Sequence, residues 1–173
     1  MKKTIVIVAH PHIEKSVVNR YWSDALTGKV ALRFLADATP LDSPLDIANE
    51  QAILEQYDRI IFQFPLYWYG APALLKHWLD EVMTFGWAYG PGGDKLEGKE
   101  LGIAVSCGGS EDQFSTTGFQ LYTLADYMKQ YEGVAAFVRA KWIGIHAIYD
   151  TFAKDITDRL PLNTQEYLTF LNK

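Results

Sequence analysis

The chain has 173 residues, 49% of them hydrophobic and 14% aromatic, with a formal charge of −5. That mass suits one domain with a substantial core, and the composition excludes a disordered chain. Acidic residues spread without runs exclude a nucleic-acid surface, and a single cysteine, Cys107, excludes an intrachain disulfide and suits a reducing cytoplasm.

After Lys2-Lys3 the apolar run ends at Ala9, too short for a signal segment or a membrane span. A soluble intracellular domain is therefore expected. Thr4 to Ala9 is continuous and β-branched, the pattern of a strand buried on both faces. Val18, Tyr21, Trp22 and Ala25 fall at helical spacing, so a helix follows and ends near Gly28. Val30 to Leu35 predicts a second strand. The stretch Asp37 to Asp46, with Pro40 and Pro44, reads as a loop. A weaker helix is expected over Ile47 to Gln56, then a third strand over Asp58 to Phe64. Pro65 would end that strand, since it cannot donate to a ladder, and Pro72 suits the first turn of the next helix. That helix shows Leu75, Trp78, Leu79 and Val82 as its apolar stripe, with Asp80-Glu81 on the outer face.

Phe85 to Lys99 is rich in glycine and reads as a surface excursion. Leu101 to Ser106 predicts the fourth strand, and Leu121, Leu124, Ala125 and Met128 a helical face. Val134 to Val138 and Trp142 to Ile148 are candidates for the fifth strand and its extension. A last helix is predicted from Thr164 to Leu171, after Pro161. Alternation of strands and helices about five times specifies an α/β doubly wound parallel sheet in a single domain over 1–173. At this size the flavodoxin-like five-stranded order 2-1-3-4-5 is the expected topology.

In that order strands one, three and four are neighbours, so their carboxyl-end loops meet at one crevice. The first loop, His10 to Ser16, leads into a helix start whose unpaired N–H groups and dipole suit a phosphate. His10, the Ser16 hydroxyl and the Asn19 amide could add donors; equally, Ser16 could simply cap the helix and the histidines be solvated. Neither G-x-G-x-x-G nor a Walker pattern is present, which argues against a dinucleotide Rossmann site or an NTPase. The second loop carries Pro65, Leu66, Tyr67, Trp68 and Tyr69, aromatics that can flank a flat ring or pack a core or dimer interface. The third, Ser106-Cys107-Gly108-Gly109-Ser110, allows close backbone approach to a ligand or a tight turn. Together they fit a phosphorylated planar cofactor. His77 and His146 stand alone and read as structural, and no paired spacing supports a metal. Gly-x-Ser-x-Gly is absent and Cys107 has no activating partner in sequence, so a hydrolase is not expected.

At these loops the chain resembles the flavodoxin-like NAD(P)H:quinone oxidoreductases, a group that includes bacterial NAD(P)H dehydrogenases, general-stress oxidoreductases and ancillary proteins of potassium efflux. The matching pieces are Ala9-His10-Pro11 with Ser16 and Asn19, Phe64 to Tyr69 leading into Pro72 to Lys76, Phe85-Gly86-Trp87-Ala88-Tyr89-Gly90, and Ser106 to Gly109. The similarity runs colinearly from about residue 3 to 150. The resemblance implies a flavin, FMN favoured over FAD because short members lack a C-terminal extension, with NADPH or NADH as co-substrate. It places the flavin phosphate at His10, Ser16, Val17, Val18 and Asn19. The ring falls at Pro65 and Leu66 to Tyr69, and its pyrimidine side at Ser106, Cys107, Gly108 and Gly109. Trp87, Tyr89 and Phe114 would belong to a substrate pocket shared across a homodimer.

The implied activity is two-electron reduction of a quinone-like acceptor, by ping-pong hydride transfer through flavin N5. A flavodoxin-type electron carrier, or a regulatory flavoprotein docked on a membrane transporter, is the alternative. Departures from the family pattern are Tyr67, where Gln is common, and Cys107, where Thr is common. Phe114 stands near a tyrosine position, and 111–119 lacks the histidine of a tyrosine-histidine relay. Flavin chemistry survives such a loss, because the cofactor carries the reaction and the protein orients it.

Overall fold

A computed structural model describes residues 2–38 and 44–172. Five parallel strands form one sheet in the order β2-β1-β3-β4-β5. They are β1 (Thr4–Val8), β2 (Ala31–Phe34), β3 (Arg59–Pro65), β4 (Glu100–Ser106) and β5 (Lys141–Ile148). The helices are α1 (Val18–Leu26), α2 (Leu35–Ala38), α3 (Ile47–Glu55), α4 (Ala73–Val82), α5 (Leu124–Phe137) and α6 (Ile156–Leu171).

Period-two alternation along buried strands feeds two cores. Ile5, Ile7, Ile60, Phe62, Phe64, Leu101, Ile103 and Val105 pack with α3, α4 and α5. Val6, Val8, Ile61 and Ala104 face the other way, onto Val18, Trp22 and Leu26 of α1 and Leu160, Tyr167 and Phe170 of α6. Burial of each such large side chain is worth about 1.5–3 kcal/mol. Gly102 sets how closely α6 approaches the sheet, because a Cβ there would lie 3.0 Å from Phe170 Cζ and 2.8 Å from Ile143 Cγ1. In the second core Gln63 stands among apolar neighbours as a clip. Its Nε2 donates to Asn19 O at 3.0 Å and Ser23 Oγ at 3.1 Å, tying the start of α1 to the centre of the sheet.

The sheet order matches the expected one, but several elements differ. Val134 to Val138 is not strand: residues 134–137 complete α5, and Val138 caps it. Leu124, Met128, Tyr131 and Ala135 keep one helical face buried throughout, and a capping box at Thr123 and Asp126 starts the helix. The helical period of that buried face overrides the short apolar run Val134-Ala135-Ala136-Phe137-Val138. Leu121 lies outside α5, exposed and at φ +66°. α6 begins at Ile156 and contains Pro161 instead of following it. The residue four back, Thr157, is exposed, so its released carbonyl can meet water. Part of the expected 37–46 loop is helical in α2, and residues 39–43 of it lie outside the described residues. β3 includes Pro65 as its last residue, paired with Ser106, and Pro72 is the cap before α4. The 85–99 excursion is not confined to the surface, since Trp87, Ala88 and Leu96 enter the core.

Candidate functional site

Three loops converge at the carboxyl edge, and hydrogen bonds lock them together. Leu66 N–H donates to Ser106 O at 2.9 Å, and Asn19 Nδ2 donates to Ser106 Oγ at 2.9 Å, so loop three touches both of the others.

Loop one passes from β1 through a 3-10 turn at Ile13–Lys15 into α1. His10 is buried, and its Nδ1 accepts from the His12 N–H at 3.1 Å, which leaves Nε2 as the protonated nitrogen, a donor. Burial, with His12 nearby adding to it against Glu14, holds the imidazole pKa below its usual value. Ser16 Oγ accepts from Asn19 N–H at 3.0 Å and caps the helix, with its hydroxyl proton still available to a ligand. The capping and the binding roles are therefore compatible. Val17 is exposed, Val18 is buried, and neither backbone N–H has a partner among the described residues. Asn19 departs from its expected use. Its amide donor is committed to Ser106, and its buried Oδ1 lacks a partner. That oxygen is closed to solvent, so in this arrangement it offers no acceptor to a ligand in the crevice.

Loop two is a two-residue hairpin. Tyr67 N–H donates to Gly70 O at 2.8 Å, Gly70 N–H returns to Tyr67 O at 3.0 Å, and the residues between, Trp68 and Tyr69, have φ of +48° and +65°. Positive φ at both central positions belongs to a turn that normally takes Asn or Gly. Two aromatic L-residues there store about 1–3 kcal/mol each. Trp68 is 96% exposed. Tyr69 stacks on Tyr127 with centroids 4.6 Å apart, and its hydroxyl donates to Gln120 Oε1 at 2.8 Å. The N–H groups of Trp68 and Tyr69 have no partner among the described residues.

Loop three is held from outside. Cys107 N–H donates to Ile148 O, Thr151 N–H to Cys107 O, and Asp150 N–H to Gly109 O, at 2.8, 3.1 and 3.0 Å. Arg159 fixes that outer strap by donating to Tyr149 O and Asp150 O. A Cβ on Gly108 would stand 2.8 Å from the Phe152 ring, and one on Gly109 would stand 2.6 Å from Gln113 Oε1, so a side chain at either position would displace a neighbour at this loop. Cys107 is fully buried, and burial pushes its thiol pKa up to about 12, so it is a neutral thiol.

Phe114 lies buried beneath this loop, against Tyr127 and Tyr149. Trp87 and Tyr89 are placed elsewhere. Trp87 Nε1 donates at 2.7 Å to Glu55, the last residue of α3, which puts it at the amino edge of the sheet. Tyr89 packs there with Phe85 and Phe137. Within one chain these two residues do not join the three loops. Gln120, Tyr127, Tyr149 and Phe152, all around the crevice, carry no motif that sequence reading could have caught.

Flavin mononucleotide fits this chemistry. Its phosphate would meet the donors of loop one, and its flat ring the aromatic turn and glycine floor. Comparison with known proteins agrees. The chain is 43% identical over 149 residues to an NAD(P)H oxidoreductase, YdeQ, of Bacillus subtilis, covering 85% of this chain and 75% of that one. It is 40% identical over 149 residues to the potassium-efflux ancillary protein KefG of Cronobacter sakazakii, covering 85% and 80%. Among solved structures, general stress protein 14 of Treponema denticola in complex with FMN has TM-score 0.92 and 33% identity over 98% of both chains. A NADPH-quinone reductase of P. pentosaceus has TM-score 0.82 and 36% identity over 95% and 96%. Residues 2–171 match the family described as having a flavodoxin-like fold, and the chain belongs to that family.

Proposed function

We propose that this protein is an FMN-dependent NAD(P)H dehydrogenase that reduces quinone-like acceptors by two electrons, the two substrates using one pocket in turn. The observation that carries the reading is a set of N–H groups on the three converging loops that have no partner among the described residues: those of Val17, Val18, Trp68, Tyr69, Gly108 and Gly109. Bound flavin would accept hydride from the nicotinamide and deliver the electrons to the acceptor. His10 and Ser16 hold the phosphate as hydrogen-bond donors. The Trp68–Tyr69 turn and the Gly108–Gly109 floor position the ring and keep water from its faces. The FMN complex of general stress protein 14 supports FMN over FAD.

A homodimer goes with this reading. Phe85 and Phe137 are 67% and 64% exposed beside Tyr89, next to a groove of about 560 Å³ between α4 and α5. Trp87 and Tyr89 would complete the pocket of a second copy. The likeness to KefG favours a second reading, in which the same flavoprotein docks at a cytoplasmic face of a transporter. No helix among the described residues is long and apolar enough to cross a membrane.

The test is direct. Purified protein titrated with FMN should show a bound flavin spectrum, bleach on anaerobic NADPH or NADH, and recolour on menadione. A protein that takes up neither FMN nor FAD contradicts the reading. Bleaching without reoxidation by menadione limits it to the flavin, and co-purification with a transporter supports the second reading.

A further inference from the structure

One side chain bridges the aromatic turn and the glycine floor. Gln120 is half-buried in the excursion between β4 and α5. Its backbone is anchored on both sides: its N–H donates to Gln113 O at 3.0 Å, and its carbonyl accepts from Tyr127 Oη at 2.5 Å and Tyr122 N–H at 2.8 Å. The carboxamide is oriented as well. Tyr69 Oη donates to Oε1 at 2.8 Å, so the NH2 group must point the other way. Nε2 lies 3.5 Å from the point a Gly109 Cβ would occupy, and it has no partner among the described residues. Tyr69 in turn is immobilised by its stack on Tyr127. Held in that orientation between the aromatic turn and the glycine floor and not closed off from solvent, Nε2 can exchange a water for the acceptor of a ligand.

We infer that Gln120 donates from Nε2 to the polar edge of the flat heteroaromatic ring held in this crevice, a ring carbonyl or ring nitrogen being the acceptor. The inference rests on the flavin reading above and names a contact within it. The carboxamide is neutral and does not titrate, so the contact persists unchanged across pH 6 to 8. A donor on an electron-accepting ring stabilises its electron-rich form more than its oxidised form, so Gln120 raises the midpoint potential of bound flavin. Tyr69 is the positioning residue, because it sets the carboxamide orientation.

Three variants separate contact from tether. Gln120→Glu keeps the acceptor for Tyr69 and the shape, and removes the donor. Gln120→Leu removes both without adding charge, and Tyr69→Phe removes only the tether. Affinity is read by flavin fluorescence, with FMN and riboflavin as probes, and the midpoint potential by anaerobic dye equilibration. Thermal melting of the flavin-free variants checks the fold. Gln120→Glu and Gln120→Leu should each bind both flavins about tenfold more weakly, because the contact is to the ring and not the phosphate. Their midpoint should fall by ~30 mV or more, a tenfold change for a two-electron couple. Tyr69→Phe should show a smaller loss of the same kind. Both Gln120 variants within twofold of wild type, a loss confined to FMN, or an unchanged midpoint would each overturn the contact. Failure of the wild type to bind either flavin would instead remove the flavin reading and this one with it.

Discussion

Trp68→Asn tests whether backbone strain in the aromatic turn is held for the ligand. Trp68 sits at φ +48° and is 96% exposed, so its ring contributes little packing within the chain. A non-glycine residue in the left-handed region costs about 1–2 kcal/mol, and asparagine tolerates it through local hydrogen bonding. The substitution should therefore stabilise the flavin-free protein by about 1 kcal/mol, which for a domain of this size is a Tm rise of ~2–4 °C. Tyr69→Asn relieves similar strain at φ +65° but forfeits the Tyr127 stack and the Gln120 hydrogen bond. Those losses, each about 0.5–1.5 kcal/mol, leave it neutral or less stable than wild type. Thermal and urea unfolding without flavin measures both, and FMN titration should show weaker binding for both. A flavin-free Trp68→Asn protein destabilised by more than about 1 kcal/mol would refute the strain argument, since no contact in the chain accounts for such a loss.

The sheet order was legible because buried parallel strands are continuous apolar runs and the helices between them keep a 3.6 period. Misreadings arose where two signals competed. At Val134 to Val138 a short apolar run lies on a helix already started by the Thr123–Asp126 capping box, and the helix prevailed. At Pro161 a local breaker sits on a helix whose buried face, from Ile156 and Leu160 to Tyr167, outweighs one lost hydrogen bond. The three loops of the site were visible as residue types at strand ends. Their wiring was not. That Asn19 spends its donor on Ser106, and that Gln120 faces Gly109, depend on contacts 87 residues apart in one case and on carboxamide orientation in the other. Trp87 and Tyr89 show a different limit: a motif marks them as functional, while the fold puts them at the opposite edge from the crevice.

Three further outcomes are expected. Ser16→Ala removes a helix cap and a phosphate donor together. It should weaken FMN by about 10- to 100-fold, as for a hydrogen bond to a charged group, and riboflavin far less; equal losses in a paired titration would dismiss the phosphate assignment. Cys107, with its thiol pushed up to about 12 and no exposure, should resist iodoacetamide in the native state at pH 8. Cys107→Ser should keep menadione reduction within about tenfold while losing stability through a buried hydroxyl; rapid native alkylation would contradict the neutral thiol. The last outcome concerns His10 and pH. Its folded pKa is depressed, chiefly by burial and then by His12, with Glu14 opposing. Protons therefore bind the unfolded chain more readily, so His10 contributes stability above its ordinary value near 6.5 that is lost as pH falls through the folded value. Urea midpoints of wild type and His10→Gln, compared at pH 7.5 and 5.5 without flavin, isolate this group from the carboxylates both proteins share. Wild type should lose more stability on acidification than the variant. FMN should reverse the sign, because a bound phosphate favours the protonated imidazole, and wild-type affinity should rise from pH 7.5 to 6 where the variant's does not. Parallel pH dependences in the two proteins, with and without FMN, would mean that His10 neither titrates against burial nor faces the phosphate.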